Sequence, residues 1–102
     1  MIKNDIAKYV RELYRKAGYK VFNFTSNIKI RTKDWVDIVC VGHGRIILYE
    51  IKVGKDKCSP GQIETGIQLA ACMAVSNQIV YAIISEKDYK EVAEKLLSPL
   101  DK

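Results

Sequence analysis

The chain has 102 residues, 48% of them apolar and 28% charged; that balance suits a single globular domain over 1–102 and excludes a disordered chain. No apolar run approaches the roughly 20 residues of a membrane-spanning helix, and no signal-peptide core follows Met1, so a cytoplasmic protein with no membrane partner is expected. The net charge of +5 is uneven: residues 1–36 carry nine basic and three acidic side chains, 37–83 carry four of each, and 84–102 carry four basic and five acidic. A basic first third favours a polyanion, nucleic acid first.

The elements follow in chain order. Asn4 offers an N-cap, and Ile6, Tyr9, Val10, Leu13, Tyr14 and Ala17 recur at helical spacing until Gly18 stops the helix. Lys8, Arg11, Glu12, Arg15 and Lys16 form its outer, mostly basic face. Residues 19–24 alternate β-formers and predict a strand. Residues 25–34 are polar and basic and predict a loop or a ragged strand extension. Residues 35–41 predict a short apolar strand interrupted by Asp37. Gly42-His43-Gly44 reads as a hairpin turn, and 45–52 as the partner strand. A charged loop follows. Ser59-Pro60-Gly61-Gln62 then opens a second helix, with serine as cap, proline first and glutamine as the capping-box partner. Ile63, Ile67, Ala70, Ala71 and Ala74 form its apolar stripe, whose small residues suit close packing on a sheet. Residues 78–84 predict a further strand. Ser85 caps a last helix with Tyr89, Val92, Ala93 and Leu96 inward. The order α-β-β-β-α-β-α places a crossover helix between the third and fourth strands. It predicts an α/β domain with a mixed sheet flanked by helices.

Cys40, Cys58 and Cys72 are odd in number and widely spaced, and His43 is the single histidine. That excludes a structural zinc site. Cys40 and Cys72 lie in apolar surroundings and are expected to be buried as small hydrophobes.

Two acids stand where hydrophobes belong. Asp37 interrupts Val36 and Ile38; Glu50 interrupts Tyr49 and Ile51, and Lys52 follows two residues on. Residues two apart on a strand share a face, so Glu50 and Lys52 project together. A turn centred on His43 pairs residue 37 near 49, within about one residue of Glu50. A small bulge or splay then brings both carboxylates to one face. Two carboxylates and a lysine on an apolar sheet are costly unless compensated, and a divalent cation is the natural compensation. Mg²⁺ takes hard oxygen ligands, often one or two carboxylates plus phosphate and water. The same residues also read as a strand-end cap and an exposed same-face ion pair, and both readings stand at this point.

Asp37, twelve residues, then Glu50-Ile51-Lys52 resembles the PD-(D/E)xK nuclease signature, with Val36 where the eponymous proline stands. In that superfamily the metal acids and the lysine lie on two adjacent strands of an α-β-β-β-α-β core, the restriction-endonuclease-like core. Residues 50–62 are similar to virus-type replication-repair nuclease modules, which read Glu-Val-Lys, a charged loop with glycine, then Ser-x-x-Gln. That likeness places Gln62 beside the metal; the capping box is its other reading. The small size, opening helix and basic serine-containing loop before Asp37 are similar to archaeal Holliday junction resolvases. In those enzymes a glutamate of the first helix helps build the metal site. Here that position falls nearer Ala7, with Asp5 and Glu12 as imperfect substitutes.

These resemblances imply a Mg²⁺-dependent DNA endonuclease, with Mn²⁺ as the alternative ion, selective for branched or structured DNA such as a junction, flap or fork. Asp37 and Glu50, with the Ile51 main-chain carbonyl, are expected to hold the metal. Lys52 is expected to position the attacking water, with Gln62 beside it. Ser26, Lys29, Arg31, Lys33, Lys55 and Lys57 are expected to grip DNA phosphates, which positions the backbone and reads no sequence. A homodimer is expected, since a symmetric junction requires two active sites. The alternative is an inactive DNA-binding or protein-interaction module of the same fold.

Overall fold

A computed structural model describes residues 3–25 and 34–97. Among these the chain forms α1 (Lys3–Lys16), β1 (Lys20–Asn23), β2 (Ile38–Gly42), β3 (Arg45–Lys52), α2 (Pro60–Val75), β4 (Ile79–Ser85) and α3 (Tyr89–Leu97). This is the order expected from the sequence. The sheet runs β1-β2-β3-β4. β1 pairs with β2 and β2 with β3 antiparallel, and β4 lies parallel to β3 through the α2 crossover. The sheet is therefore mixed and the domain is α/β.

The hairpin turn is shorter than the three residues read from the sequence. Gly42 pairs with Arg45, which leaves His43 and Gly44 as the loop. Both have positive φ, 52° and 75°, as a two-residue type I′ turn demands. A non-glycine residue in that region is held by its contacts. His43 Nε2 lies 2.7 Å from the Ala17 carbonyl oxygen, and its ring rests on Tyr19.

One face of the sheet carries the core. Cys40, Ile47, Tyr49, Ile51 and Ile84 pack against Ile6, Ala7, Val10 and Tyr14 of α1 and Tyr89 and Ala93 of α3. Tyr14 and Tyr49 meet edge to face inside it, with their hydroxyls 2.7 Å apart. Arg45 is buried nearby. Its guanidinium donates to the Tyr19 hydroxyl (3.0 Å) and to the Leu96 carbonyl (2.7 Å), tying the start of β3 to α3.

The other face is barely closed. None of the sixteen residues of α2 is buried. The stripe expected to pack on the sheet lies outward instead: Ile63 is 52% exposed, Ile67 61%, and Ala70, Ala71 and Ala74 are exposed too. Gln62, Gly66 and Leu69 are the more covered side. Gly66 permits the close approach, because a Cβ there would stand 3.0 Å from the Tyr81 hydroxyl. Cys72, expected to be buried, is exposed for the same reason. Helix starts differ in two places. Asn4 lies within the first turn of α1, which already runs from Lys3. Ser85 ends β4, and Asp88 precedes α3: its carbonyl accepts the Val92 N–H, and its carboxylate reaches back to the Ser85 N–H.

Candidate active site

Ile38 pairs with Tyr49, so the hairpin register runs toward Asp37 and Glu50 as neighbours. As β2 reaches Asp37 it leaves the register. The Asp37 N–H donates to the Tyr49 carbonyl (3.0 Å), the residue already paired with Ile38. The Asp37 carboxylate then takes the place of main chain, with Oδ2 accepting the Ile51 N–H at 2.8 Å. The pairing therefore shifts at Asp37, where a bulge or splay was expected from the sequence. The shift fixes the carboxylate against the main chain of Ile51.

Both acids are buried, Asp37 fully and Glu50 to 2% exposure. Glu50 Oε2 lies 3.1 Å from Lys52 Nζ and accepts from Gln62 Nε2 at 3.1 Å. Gln62 Oε1 accepts from Lys52 Nζ (2.9 Å) and from the Ser59 N–H (3.0 Å), while Ser59 Oγ accepts the Gln62 N–H (3.1 Å). The two readings of Gln62 are thus one structure. The capping box that starts α2 aims the glutamine amide at Glu50 and Lys52, and the positive end of a sixteen-residue helix points at the acids. Gly61 lets the chain fold over this end: a Cβ there would collide with the Asp34 carboxylate.

Two residues at the site were not read from the sequence. Tyr81 of β4 lies beside the acids. Its phenol is pushed up to about 12, mainly by burial, then by the charge of Glu50, with smaller contributions from Cys58 and Asp37. It stays a neutral donor at ordinary pH. Lys3 of α1 places Nζ 3.8 Å from Asp37 Oδ2 with its side chain 28% exposed. The spacing of Lys3 to the buried Ala7, one helical turn, was the available signal. Asp5 and Glu12, the acids considered for the first helix, are exposed.

Lys55 and Lys57 are exposed on the loop after β3. The loop is pinned at its start, where the Gly54 N–H donates to Glu86 Oε2 (2.7 Å); that hydrogen bond holds the Glu86 carboxyl below its ordinary range. Ser26, Lys29, Arg31 and Lys33 lie outside the described residues.

The donors fit a hard divalent cation. Two carboxylates and adjacent main chain supply oxygen, which Mg²⁺ accepts while keeping several waters; Mn²⁺ accepts the same donors. Among the described residues no three His, Cys, Asp or Glu side chains converge, so the site offers two acids and not a cage. No helix among the described residues is long and apolar enough to cross a membrane. Comparison with protein-family models and with curated proteins found no match.

Proposed function

We propose that the protein is a Mg²⁺-dependent DNA endonuclease of the PD-(D/E)xK type. The observation that carries this reading is the joining of Glu50, Lys52 and Gln62 by direct contacts, with the buried Asp37 carboxylate held on the N–H of Ile51, the residue between Glu50 and Lys52. Asp37, Glu50 and the Ile51 carbonyl would hold the ion, which lowers the pKa of bound water and stabilises charge on the phosphate. Lys52 is held from two sides, by Glu50 and Gln62, and orients the attacking water. Tyr81 offers a neutral hydrogen-bond donor beside them. Lys55 and Lys57, with Lys29, Arg31 and Lys33 earlier in the sequence, grip flanking phosphates, so binding weakens steeply with salt. Backbone contacts favour a substrate recognised by shape, such as a junction, flap or fork.

A second copy of the chain is the proposed protein partner. Eight large apolar side chains among the described residues are 38–87% exposed. At roughly 100 Å² each they approach the ~800 Å² per partner of a standard stable interface. Ile63 and Ile67 line an apolar groove with Tyr81 and Ile83, and on the other side of α2 Leu69 and Cys72 line a second one of about 310 Å³ with Val39 and Leu48. The proposed dimer covers this α2 surface about a two-fold axis. Glu64 is the single charge on α2, so little opposes the contact.

The test is cleavage of a four-way junction, flap, fork, duplex and single strand with and without Mg²⁺, for wild type and Asp37→Asn. Metal-dependent cutting by wild type alone is expected. No cutting of any substrate, with DNA binding equal in both proteins, leaves an inactive binding module.

A further inference from the structure

Most of the site answers to the motif, but one side chain does not. Lys3 enters from α1, and its ammonium lies 3.8 Å from the carboxylate oxygen of Asp37 that also takes the Ile51 N–H. Ala7, one turn further along the same helix face, is fully buried and carries nothing beyond Cβ. Among the described residues, the carboxylates of Asp37 and Glu50 each face an ammonium group, Lys3 beside the first and Lys52 beside the second.

This arrangement limits the metal. A two-metal phosphodiesterase sets its ions roughly 3.5–4 Å apart and bridges them with shared carboxylate. A second ion needs ligands that no third acid among the described residues supplies. The ammonium of Lys3 already stands against the carboxylate that such an ion would share. We propose that Lys3 takes the role of the second cation: the site binds one divalent ion, and Lys3 contacts a non-bridging oxygen of the scissile phosphate. This inference rests on the nuclease reading above. It adds that part of the positive charge at the phosphate is built into the chain, and that Lys3 weakens binding of the ion by direct repulsion.

The test compares wild type with Lys3→Met, Lys3→Arg and Lys3→Glu. Mn²⁺ bound per chain is counted by electron paramagnetic resonance, and junction cleavage is measured in parallel. Wild type is expected to bind one Mn²⁺. Lys3→Met should also bind one, several-fold tighter, yet cleave at least ~10-fold more slowly, in line with loss of a preorganised charge. Lys3→Arg should restore most of the cleavage. Lys3→Glu should bind two Mn²⁺. Two ions on wild type, one on Lys3→Glu, or a Lys3→Met protein equal to wild type in affinity and rate overturns the assignment of Lys3 and leaves the nuclease standing. A wild type that neither binds Mn²⁺ nor cleaves removes the nuclease reading, and the role of Lys3 with it.

Discussion

Asp37 does two jobs that substitution separates. Its carboxylate is a proposed metal ligand, and its Oδ2 also accepts the buried Ile51 N–H at 2.8 Å. Asparagine keeps an oxygen for that N–H and discards the charge. Alanine discards both and strands a buried donor, which costs about 1–3 kcal/mol. For a domain of this size each kcal/mol shifts Tm by roughly 4–8 °C. Without metal, Asp37→Ala should therefore melt roughly 4–24 °C below wild type. Asp37→Asn should melt within a few degrees of wild type, because removing a buried charge offsets its weaker hydrogen bond. Mg²⁺ at ten times its dissociation constant stabilises the protein that binds it by about 1.4 kcal/mol, so wild-type Tm should rise by roughly 5–10 °C. Neither variant should respond, and both should fail to cleave. Circular dichroism melts in EDTA and in MgCl₂ read every term. Equal melting of the two variants in EDTA would refute the hydrogen-bond argument. An undiminished Mg²⁺ response in Asp37→Asn would refute Asp37 as a ligand.

The remaining expectations concern stability and assembly. The Tyr14 hydroxyl meets Tyr49 at 2.7 Å and also reaches the Ala93 carbonyl at 3.4 Å. Tyr14→Phe strips Tyr49 of that partner and should cost about 1–3 kcal/mol, whereas Tyr49→Phe leaves Tyr14 its carbonyl and should cost about 0.5–1.5 kcal/mol; urea midpoints decide, and the reverse order refutes the assignment. Burial pushes the Cys40 thiol up to about 12, above its unfolded value. The stability it adds is complete below pH 9 and is lost as pH rises through about 12. Cys40→Ala should flatten the fall in urea midpoint over that window, and in folded monomeric Ile67→Asp protein a thiol reagent should modify the exposed Cys72 well before Cys40. Ile67→Asp places a charge on the proposed two-fold interface without touching the core, so light scattering should change from dimer to monomer while Tm at low concentration holds.

The legible parts of the sequence were those in which local chemistry and burial agree. The α1 stripe, the glycine-framed hairpin and the Ser59–Gln62 capping box each carry their own signal. The order of elements followed from them. The acids of the site were legible for the opposite reason: Asp37 and Glu50 are wrong for an apolar strand, and the register of a tight turn brings wrong residues together. What failed depended on tertiary context. A run of small and apolar residues in α2 predicts burial, but periodicity reports only that a face is apolar, not that the same chain covers it. Cys72 was misplaced with that face. Arg45 gave no sign of burial, because its partners, Tyr19 and the Leu96 carbonyl, come from distant elements. Lys3 looked like one more basic residue of a basic helix, since its significance lies in a carboxylate thirty-four positions away.

The sheet divides its labour by face, and that division explains why the site is affordable. A buried ion cluster rarely stabilises a fold more than packed hydrophobes of the same volume. Asp37, Glu50, Lys52 and Gln62 must therefore be carried by burial elsewhere. That burial lies on the opposite face, where the tyrosine pair, the isoleucines of β2, β3 and β4, and helices α1 and α3 close a dry core. The α2 face adds no fully buried side chain from its helix. It keeps two acids buried and large apolar side chains exposed, two costs that a selection for stability alone would remove. On the function proposed above, one event would relieve both: a second copy covering the exposed apolar side chains, and a metal with its phosphate ligand settling the acids.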